Sequence, residues 1–305
     1  MYLLIFGDLP TTDQLTKFQN DIREEALVDE DLKKIFKSFP RSAHPMGVLS
    51  SLTSALIAFN PLNETKISIH DKKGITEDDK MYMSTVRLLS KFPIISSWTL
   101  RKIKGLPLNY SNDKLLYTEN IAYMMFALPN REYIQNDVVI NALNTLLILH
   151  ADHEQNCSTT TMRTVGSSNA DPYSAVAAAT CGLYGPLHGG ANEAVIHMLH
   201  EIGSFENVAG YVEKVKSGET LLQGFGHRVY KSYDPRATII KKTAEQGFEV
   251  TGMNPLLDIA MKLEEVALSD SYFIDRNLYP TVDFYSGLIY EAMGFPMDMF
   301  TVLFA

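Results

Sequence analysis

The sequence predicts a mainly α-helical protein with one large domain or two moderate ones. Apolar residues recur at the helical period along most of the chain, and few segments show the alternation of a β-strand. Proline and glycine fall between these segments, where they typically end helices. The 305 residues are 46% hydrophobic and 21% charged, a composition typical of globular proteins.

The clearest apolar stripes predict helices at residues 139–150, 191–202 and 256–267. Further helix candidates, in chain order, are residues 12–28, 43–59, 77–92, 117–127, 173–184, 235–247 and 284–294. Residues 60–80 form the most polar stretch and predict a surface loop. No flexible Gly/Ser linker is visible, so a second domain would be inserted through short hinges.

The charge balance excludes several classes of protein. The chain has 27 Lys and Arg against 36 Asp and Glu, a net charge of -9 that repels nucleic-acid backbones. It has no long uncharged apolar run, so we expect no membrane span. Cys157 and Cys181 are too few for a disulfide framework, and the first residues do not resemble a signal peptide. We therefore expect a cytoplasmic protein.

The first polar cluster, residues 150–156, follows an apolar helix. His150 lies on the apolar stripe and predicts a hydrogen-bonded core histidine. His153 falls past the helix end, where its ring can face a cavity. His150, His153 and Glu154 leave a zinc site open as an alternative. The spacing is not HExxH and no cysteine pair accompanies it, so we expect no metal.

The second cluster, residues 185–193, brings His188 to the start of a helix on a turn rich in glycine and proline. The positive end of a helix dipole disfavours an imidazolium. A neutral imidazole there can donate a hydrogen bond to a developing oxyanion. The alternative is a helix-capping turn whose glycines serve only the backbone geometry.

The third cluster begins with Gly224, Phe225, Gly226 and His227 and continues to Arg236. A Gly-x-Gly segment allows close backbone approach to a ligand. A basic cluster in an acidic protein suits an anionic small molecule. The alternative is a solvated basic turn. A lone Gly-x-Gly with no preceding strand does not indicate a dinucleotide fold.

The fourth cluster, residues 278–287, contains Asp283 among apolar neighbours, just before a predicted helix. One interpretation makes this residue the N-cap of the helix. The other makes it a partly desolvated carboxylate that acts as a base.

Taken together, the four clusters resemble the citrate synthase family. The segments that carry the resemblance are HADHEQN (150–156), GPLHGGANEAV (185–195), GFGHRVYKSYDPRA (224–237) and YPTVDFYSG (279–287). In addition, LLSKFP (88–93) and RSAHPM (41–46) resemble the bacterial-style branch of the family. The resemblance extends over essentially the whole chain.

The resemblance implies a mainly α fold in which a large helical domain is joined by a smaller helical domain that closes over a cleft. The large domain would comprise residues 1–189 and 281–305, and the small domain residues 190–280. The family resemblance also implies a homodimer or higher oligomer.

The implied reaction condenses acetyl-CoA with oxaloacetate and hydrolyses the citryl thioester to citrate and CoA. Asp283 matches the base that removes a methyl proton. His188 matches the donor that stabilises the enol(ate), and His227 matches the group that protonates the oxaloacetate carbonyl. His153 and Arg236 match positions that bind oxaloacetate.

The coenzyme A cosubstrate would lie along Gly224, Phe225, Gly226, Lys231 and Arg276. The resemblance implies no tightly bound cofactor and no metal. One departure concerns the coenzyme A contacts, because Thr281 stands where the family pattern has asparagine.

A larger departure is an expected truncation at both ends of the chain. Two arginines that bind oxaloacetate in the family pattern, one of them contributed across the dimer, would follow residue 305. We therefore expect an active full-length parent and an inactive fragment. The alternatives are a 2-methylcitrate synthase that uses propionyl-CoA and a non-catalytic truncated paralogue. Acyl-CoA preference, nucleotide inhibition and oligomer size are not determined by this sequence.

Overall fold

A computed structural model describes residues 1–60, 76–152, 155–227, 230–251 and 254–305 of the chain. The secondary structure of these residues is helical, which confirms the prediction of a mainly α fold. In this described part no β-strand forms, and an isolated antiparallel bridge joins Phe225 and Pro280. None of the helices within these ranges is both long enough and apolar enough to cross a membrane.

The helices have the following bounds in chain order: α1 Tyr2–Phe6, α2 Thr12–Glu24, α3 Glu30–Ser38, α4 Pro45–Phe59, α5 Glu77–Ile103, α6 Tyr117–Phe126, α7 Asp137–His150, α8 Cys157–Gly166, α9 Pro172–Leu183, α10 Ala191–Ile202, α11 Val208–Ser217, α12 Pro235–Thr251, α13 Pro255–Ser269, α14 Ser271–Ile274, α15 Val282–Ala292 and α16 Phe300–Phe304. Two 3₁₀ turns, Phe205–Asn207 and Met297–Met299, precede α11 and α16.

The chain divides into two compact units. Unit 1 comprises Met1–Gln135, His153–Leu183 and Ala305, and unit 2 comprises Asn136–Asp152 and Tyr184–Phe304. Helix α7 and helices α10 to α16 therefore belong to unit 2. The division into a large domain and a closing small domain stays a prediction.

Helix α5 is longer than the sequence predicts. The predicted end at residue 92 was wrong, because the helix continues through Pro93 to Ile103. Proline has no N–H, so the carbonyl of Leu89, one turn earlier, loses its helical donor. The hydroxyl of Tyr117 in α6 donates to that carbonyl at 2.8 Å. A tertiary hydrogen bond thus replaces the missing helical one.

Several short helices were not among the predicted candidates, namely α1, α3, α8, α11, α14 and α16. Three of them carry readable start signals, and in α14 the Asp270 side chain accepts from the backbone N–H of Tyr272 at 2.9 Å. The Asp29 side chain accepts from the backbone N–H of Asp31 at 2.7 Å, and Asn156 accepts from that of Thr159 at 2.9 Å. A short helix contributes few periods of apolar pattern, so capping residues are its best signal.

Helix α15 is the buried centre of unit 2. Its side chains Phe284, Tyr285, Leu288 and Tyr290 are fully buried, and α10 and α12 pack against it. Gly287 allows α10 to come close, since a Cβ there would lie 2.9 Å from Ile196.

Helices α10 and α15 contact each other at two further places. The carbonyl oxygen of Asn192, near the start of α10, lies 3.1 Å from where a Cβ of Gly287 would stand. Further along both helices, the His200 Nε2 lies 3.5 Å from the Glu291 Oε1. These contacts fix α10 against α15 within unit 2.

Candidate active site

The third and fourth polar clusters lie side by side in unit 2. The backbone N–H of Gly226 donates to the carbonyl of Tyr279 at 2.8 Å, and that of Thr281 donates to the carbonyl of Gly224 at 2.9 Å. The bridge between Phe225 and Pro280 lies between these two hydrogen bonds. Two segments far apart in the sequence are thereby held at the start of α15.

Gly224 and Gly226 are required by the chain's own packing. Both have positive φ, at 74° and 80°, a conformation that glycine adopts without strain. A Cβ at Gly224 would lie 2.6 Å from Val195 Cγ2, and one at Gly226 would lie 2.8 Å from Leu278 Cδ2. The close approach seen at these glycines is therefore to protein side chains.

Asp283 is the second residue of α15, so the interpretation as its N-cap was wrong. Thr281 occupies that position, and its hydroxyl donates at 3.2 Å to the carbonyl of Gly224. Burial raises the pKa of the Asp283 carboxyl to about 6. The charge of Arg236 opposes this rise, and the negative charge of Asp234 adds to it. The result is a half-buried acid that titrates close to neutral pH.

Asp234 holds Arg236 in place beside that acid. Its carboxylate accepts from the Arg236 guanidinium at 2.9 and 3.1 Å and from the backbone N–H of Val282 at 3.3 Å. Burial by itself raises the pKa of Asp234, but the hydrogen bonds from Arg236 outweigh it, and the pKa is lowered. A buried ionised acid thus joins the Arg236 segment to the first residue of α15.

His227 is held as a neutral ring. The backbone N–H of Tyr230 donates to His227 Nδ1 at 3.1 Å, so this nitrogen carries no proton and Nε2 does. The two rings lie 4.8 Å apart, and the guanidinium carbon of Arg236 lies 5.7 Å from the Tyr230 ring. The Tyr230 ring therefore lies next to both the His227 ring and the Arg236 guanidinium.

The turn that carries His188 is anchored at the start of α10. The His188 backbone N–H donates to the carbonyl of Gly185 at 2.9 Å. The hydroxyl of Thr301 lies 3.1 Å from both the Gly189 carbonyl and a carboxylate oxygen of Glu193. These contacts fix the turn of His188 at the start of α10 within unit 2.

The remaining candidate residues are less tightly held. Lys231 is exposed and donates to the carbonyl of His227 at 3.4 Å. Arg276 is exposed, stacks 3.9 Å from the centre of the Tyr272 ring and donates to the Tyr272 carbonyl at 3.0 Å. Phe225 is buried against Phe284, with the ring centres 4.7 Å apart. The coenzyme A contacts stay a prediction.

The predictions for His150 and His153 in the first cluster have different outcomes. His150 is the predicted hydrogen-bonded histidine: its Nδ1 lies 2.7 Å from the carbonyl of Leu146, and its ring lies 4.0 Å from that of Phe304. His153 lies outside the described residues. Within the described ranges, no group of three His, Cys, Asp or Glu side chains is placed to hold a metal ion.

Tyr230 and Asp234 were not among the candidate site residues. Both lie within the segment GFGHRVYKSYDPRA, so their location was visible. Their roles were not visible, because each acts through a contact with another candidate. Tyr230 orients His227, and Asp234 orients Arg236.

Comparisons with known proteins agree on one family. The family model "Citrate synthase, C-terminal domain" matches residues 1–305. The chain is 49% identical over 313 residues to a citrate synthase of Corynebacterium glutamicum, covering 100% of this chain and 68% of the relative. It is 48% identical over 304 residues to a citrate synthase of Dictyostelium discoideum, covering 100% of this chain and 59% of that relative.

Two solved structures share the fold. The citrate synthase of Pyrobaculum aerophilum superposes with a TM-score of 0.89 at 36% identity, covering 99% of this chain and 74% of that one. The citrate synthase of Thermoplasma acidophilum, solved as a ternary complex with carboxymethyl coenzyme A and oxaloacetate, gives a TM-score of 0.87 at 30% identity. Here the match covers 99% of this chain and 76% of that one.

Proposed function

Because the chain belongs to the citrate synthase family, we propose that it condenses acetyl-CoA with oxaloacetate to give citrate and CoA at the site around Asp283. The observation that carries the site assignment is the half-buried Asp283 carboxyl, whose pKa is raised to about 6. This acid lies on α15 beside the segment that holds His227 and Arg236.

Asp283 is the base that removes a proton from the acetyl methyl group. A general base works best when its pKa lies near the operating pH, since it is then both ionised and strongly basic. Burial moves Asp283 in that direction. The Arg236 charge keeps a share of the carboxylate ionised at neutral pH.

His188 stabilises the enol(ate) that forms from the thioester carbonyl. Its turn precedes α10, where the helix dipole favours a neutral ring. A neutral imidazole donates a hydrogen bond to the developing negative oxygen without surrendering its proton. The hydrogen bond from His188 is needed only when negative charge develops on the thioester oxygen, as in other oxyanion sites.

His227 completes the carbon–carbon bond. The enolate carbon attacks the keto carbon of oxaloacetate, and the oxygen of that carbonyl takes the proton from His227 Nε2. The proton that Asp283 took from the methyl group later replaces it, so both side chains return to their starting states. Because the backbone N–H of Tyr230 donates to Nδ1, the ring carries its proton on Nε2. Water then hydrolyses the citryl thioester and releases CoA.

Arg236 and His153 bind oxaloacetate, a dianion that needs cationic partners in a desolvated cleft. Acetyl-CoA is the cosubstrate and lies along Gly224, Phe225, Gly226, Lys231 and Arg276. No cofactor is tightly bound. The protein acts in the cytoplasm as a homodimer or higher oligomer, and a smaller domain closes over the substrates.

The test is the release of free CoA thiol from acetyl-CoA and from propionyl-CoA in the presence of oxaloacetate. Faster release from acetyl-CoA would support the proposal and would contradict the expectation, drawn from the sequence, of an inactive fragment. His188→Gln and His227→Gln should each lower the rate at least about 100-fold, as expected for loss of an oxyanion donor or a general acid. His200→Gln is the matched control, because His200 is an exposed histidine on α10, and its rate should stay within about twofold.

Three outcomes would change the proposal. Faster release from propionyl-CoA would favour the 2-methylcitrate synthase alternative. Calorimetric binding of oxaloacetate without thiol release would favour the non-catalytic alternative. Rates for His227→Gln equal to those for His200→Gln would show that the site is wrongly assigned.

A further inference from the structure

The buried carboxylate of Glu264 takes no part in the mechanism above. It lies on α13 and is only 2% exposed. The hydroxyl of Tyr233 donates to its Oε1 at 2.5 Å. The hydroxyl of Tyr285 and the ammonium of Lys241 both donate to its Oε2, each at 2.5 Å. One side chain therefore accepts three short hydrogen bonds.

These three donors come from different parts of unit 2. Lys241 lies on α12, Tyr285 lies on α15, and Tyr233 belongs to the segment that precedes α12. The hydrogen bonds from the tyrosine hydroxyls to Glu264 further raise the pKa of both phenols, which burial has already raised, so they remain donors at any physiological pH. Glu264 thus ties three elements to α13.

Two of the donors adjoin the proposed site. Tyr233 directly precedes Asp234, the residue that holds Arg236 and the backbone N–H of Val282. Tyr285 lies in the first turn of α15, two residues after Asp283. The Glu264 carboxylate therefore holds both the segment that carries Arg236 and the helix that carries Asp283.

Packing alone does not require a charge at this position. Buried ion pairs can often be replaced by apolar side chains of similar volume without loss of stability. Hydrogen bonds to a charged acceptor have narrower distance and angle preferences than apolar contacts, so they define orientation. The Glu264 network thus specifies the relative position of two elements more closely than an apolar core would.

We propose that Glu264 is a positioning residue for the reaction, which acts through Tyr285 and Tyr233 to hold Asp283 in register with Arg236. The inference rests on the proposed function of Asp283 as the base. Such a residue affects the chemical step more than substrate binding, since proton abstraction depends steeply on the placement of the base.

The principal variant is Glu264→Gln, which keeps the size of the side chain and removes one acceptor oxygen and the charge. We expect its kcat to fall roughly 10- to 100-fold while KM for both substrates changes less than about threefold. The matched control is Glu265→Gln on the same helix, where the side chain is 70% exposed and pairs with Lys262. Its kcat should stay within about twofold.

A second arm separates positioning from a loss of folded protein. Tyr285→Phe should lower kcat in the wild-type background. It should lower kcat little further in the Glu264→Gln background, because both changes break the same hydrogen bond between Tyr285 and Glu264. Rates are taken per folded molecule, from thermal unfolding curves of each variant. If the two changes lower kcat additively, Glu264 and Tyr285 do not act on Asp283 through the same hydrogen bond.

The pH profile gives a readout that a purely structural role would not change. Among the residues that the structure describes, the charged and titratable groups that face Asp283 are Arg236, Asp234 and Tyr290. If Glu264 keeps the acid buried among them, Glu264→Gln lets Asp283 become more solvated. The acid limb of kcat/KM should then move from about 6 towards the ordinary aspartate value near 4.

The same titration can be followed without turnover, by carbon NMR of protein labelled at the aspartate carboxyls, with Asp283→Asn assigning the signal. A lower pKa of Asp283 in Glu264→Gln supports the proposal. An unchanged pKa and kcat, equal to those of Glu265→Gln, would overturn it. Wild-type activity retained in Asp283→Asn would instead contradict the proposed function, so the two failures are distinguishable.

Discussion

Unit 1 contains the buried acid Glu25, unit 2 contains the half-buried acid Asp283, and the two acids differ in their cations. In unit 1, the Glu25 Oε2 lies 3.3 Å from Arg87 Nε and 3.4 Å from Lys91 Nζ. In unit 2, the cation beside Asp283 is Arg236, and its guanidinium is already bonded to Asp234. Glu25 therefore has cations of its own, whereas Asp283 shares one with another acid.

This difference decides what each acid can do. Removing one partner of a buried ion pair leaves an uncompensated buried charge, so Glu25 contributes to the structure of unit 1. Burial raises the pKa of the Asp283 carboxyl to about 6, and the charge of Arg236, which is also bonded to Asp234, opposes this rise. An acid whose pKa lies near neutral pH can serve as a base.

The largest effect expected from this comparison is that of Asp283→Asn. Loss of the base should slow exchange of the acetyl-CoA methyl hydrogens with solvent deuterium by about 1,000-fold. The exchange is followed by mass spectrometry of acetyl-CoA with the full chain in D2O. An exchange rate within tenfold of wild type would show that Asp283 is not the base and would remove the contrast with Glu25.

The next effect is a loss of stability in unit 1. Glu25→Gln leaves Arg87 and Lys91 buried without their anion and should lower the free energy of unfolding by about 3–5 kcal/mol. Exchange activity per folded molecule should not change. Urea unfolding measures the effect, and Glu24→Gln, at an exposed neighbouring position, is the control. Equal stability of the two variants would mean that Glu25 contributes no net ion pairing.

The smallest effect is a pH dependence of stability in unit 2. The folded pKa of Asp283 is raised, so the folded state binds its proton more tightly than the unfolded state does. The contribution of Asp283 to the free energy of unfolding is therefore smallest above pH 6. It falls by roughly 3 kcal/mol between about pH 4 and pH 6.

The measurement is the difference in unfolding free energy between wild type and Asp283→Asn at pH 4 and at pH 7. Wild type should lose stability relative to the variant on going to pH 7. A difference that stays constant across this range would mean that the acid has its ordinary pKa. It would then resemble an exposed aspartate rather than a buried base.

Local pattern predicted much of the helical structure. The stripe that ends at His150 corresponds to α7, and the stripe at residues 191–202 corresponds to α10. The end of α5 was not predictable in the same way, because the partner that satisfies the Leu89 carbonyl is Tyr117 in another helix. A proline ends a helix by default, and only a tertiary contact shows when it does not.

The candidate site was predictable in its reactive side chains but not in their support. His227, Arg236 and Asp283 stand in segments that resemble a known family. Glu264 stands outside every such segment, and its partners Tyr233 and Tyr285 are distant in the sequence. A buried glutamate on a helix has no local signature, since its donors come from other elements.

By itself, the sequence determined the helical class and nominated the candidate reactive groups. Apolar period and side-chain chemistry are local properties that can be read along the chain. Only the tertiary structure decided that Asp283 titrates near neutral pH and that His227 carries its proton on Nε2. The physical reason is that desolvation, charge and hydrogen bonding depend on which groups are neighbours in space.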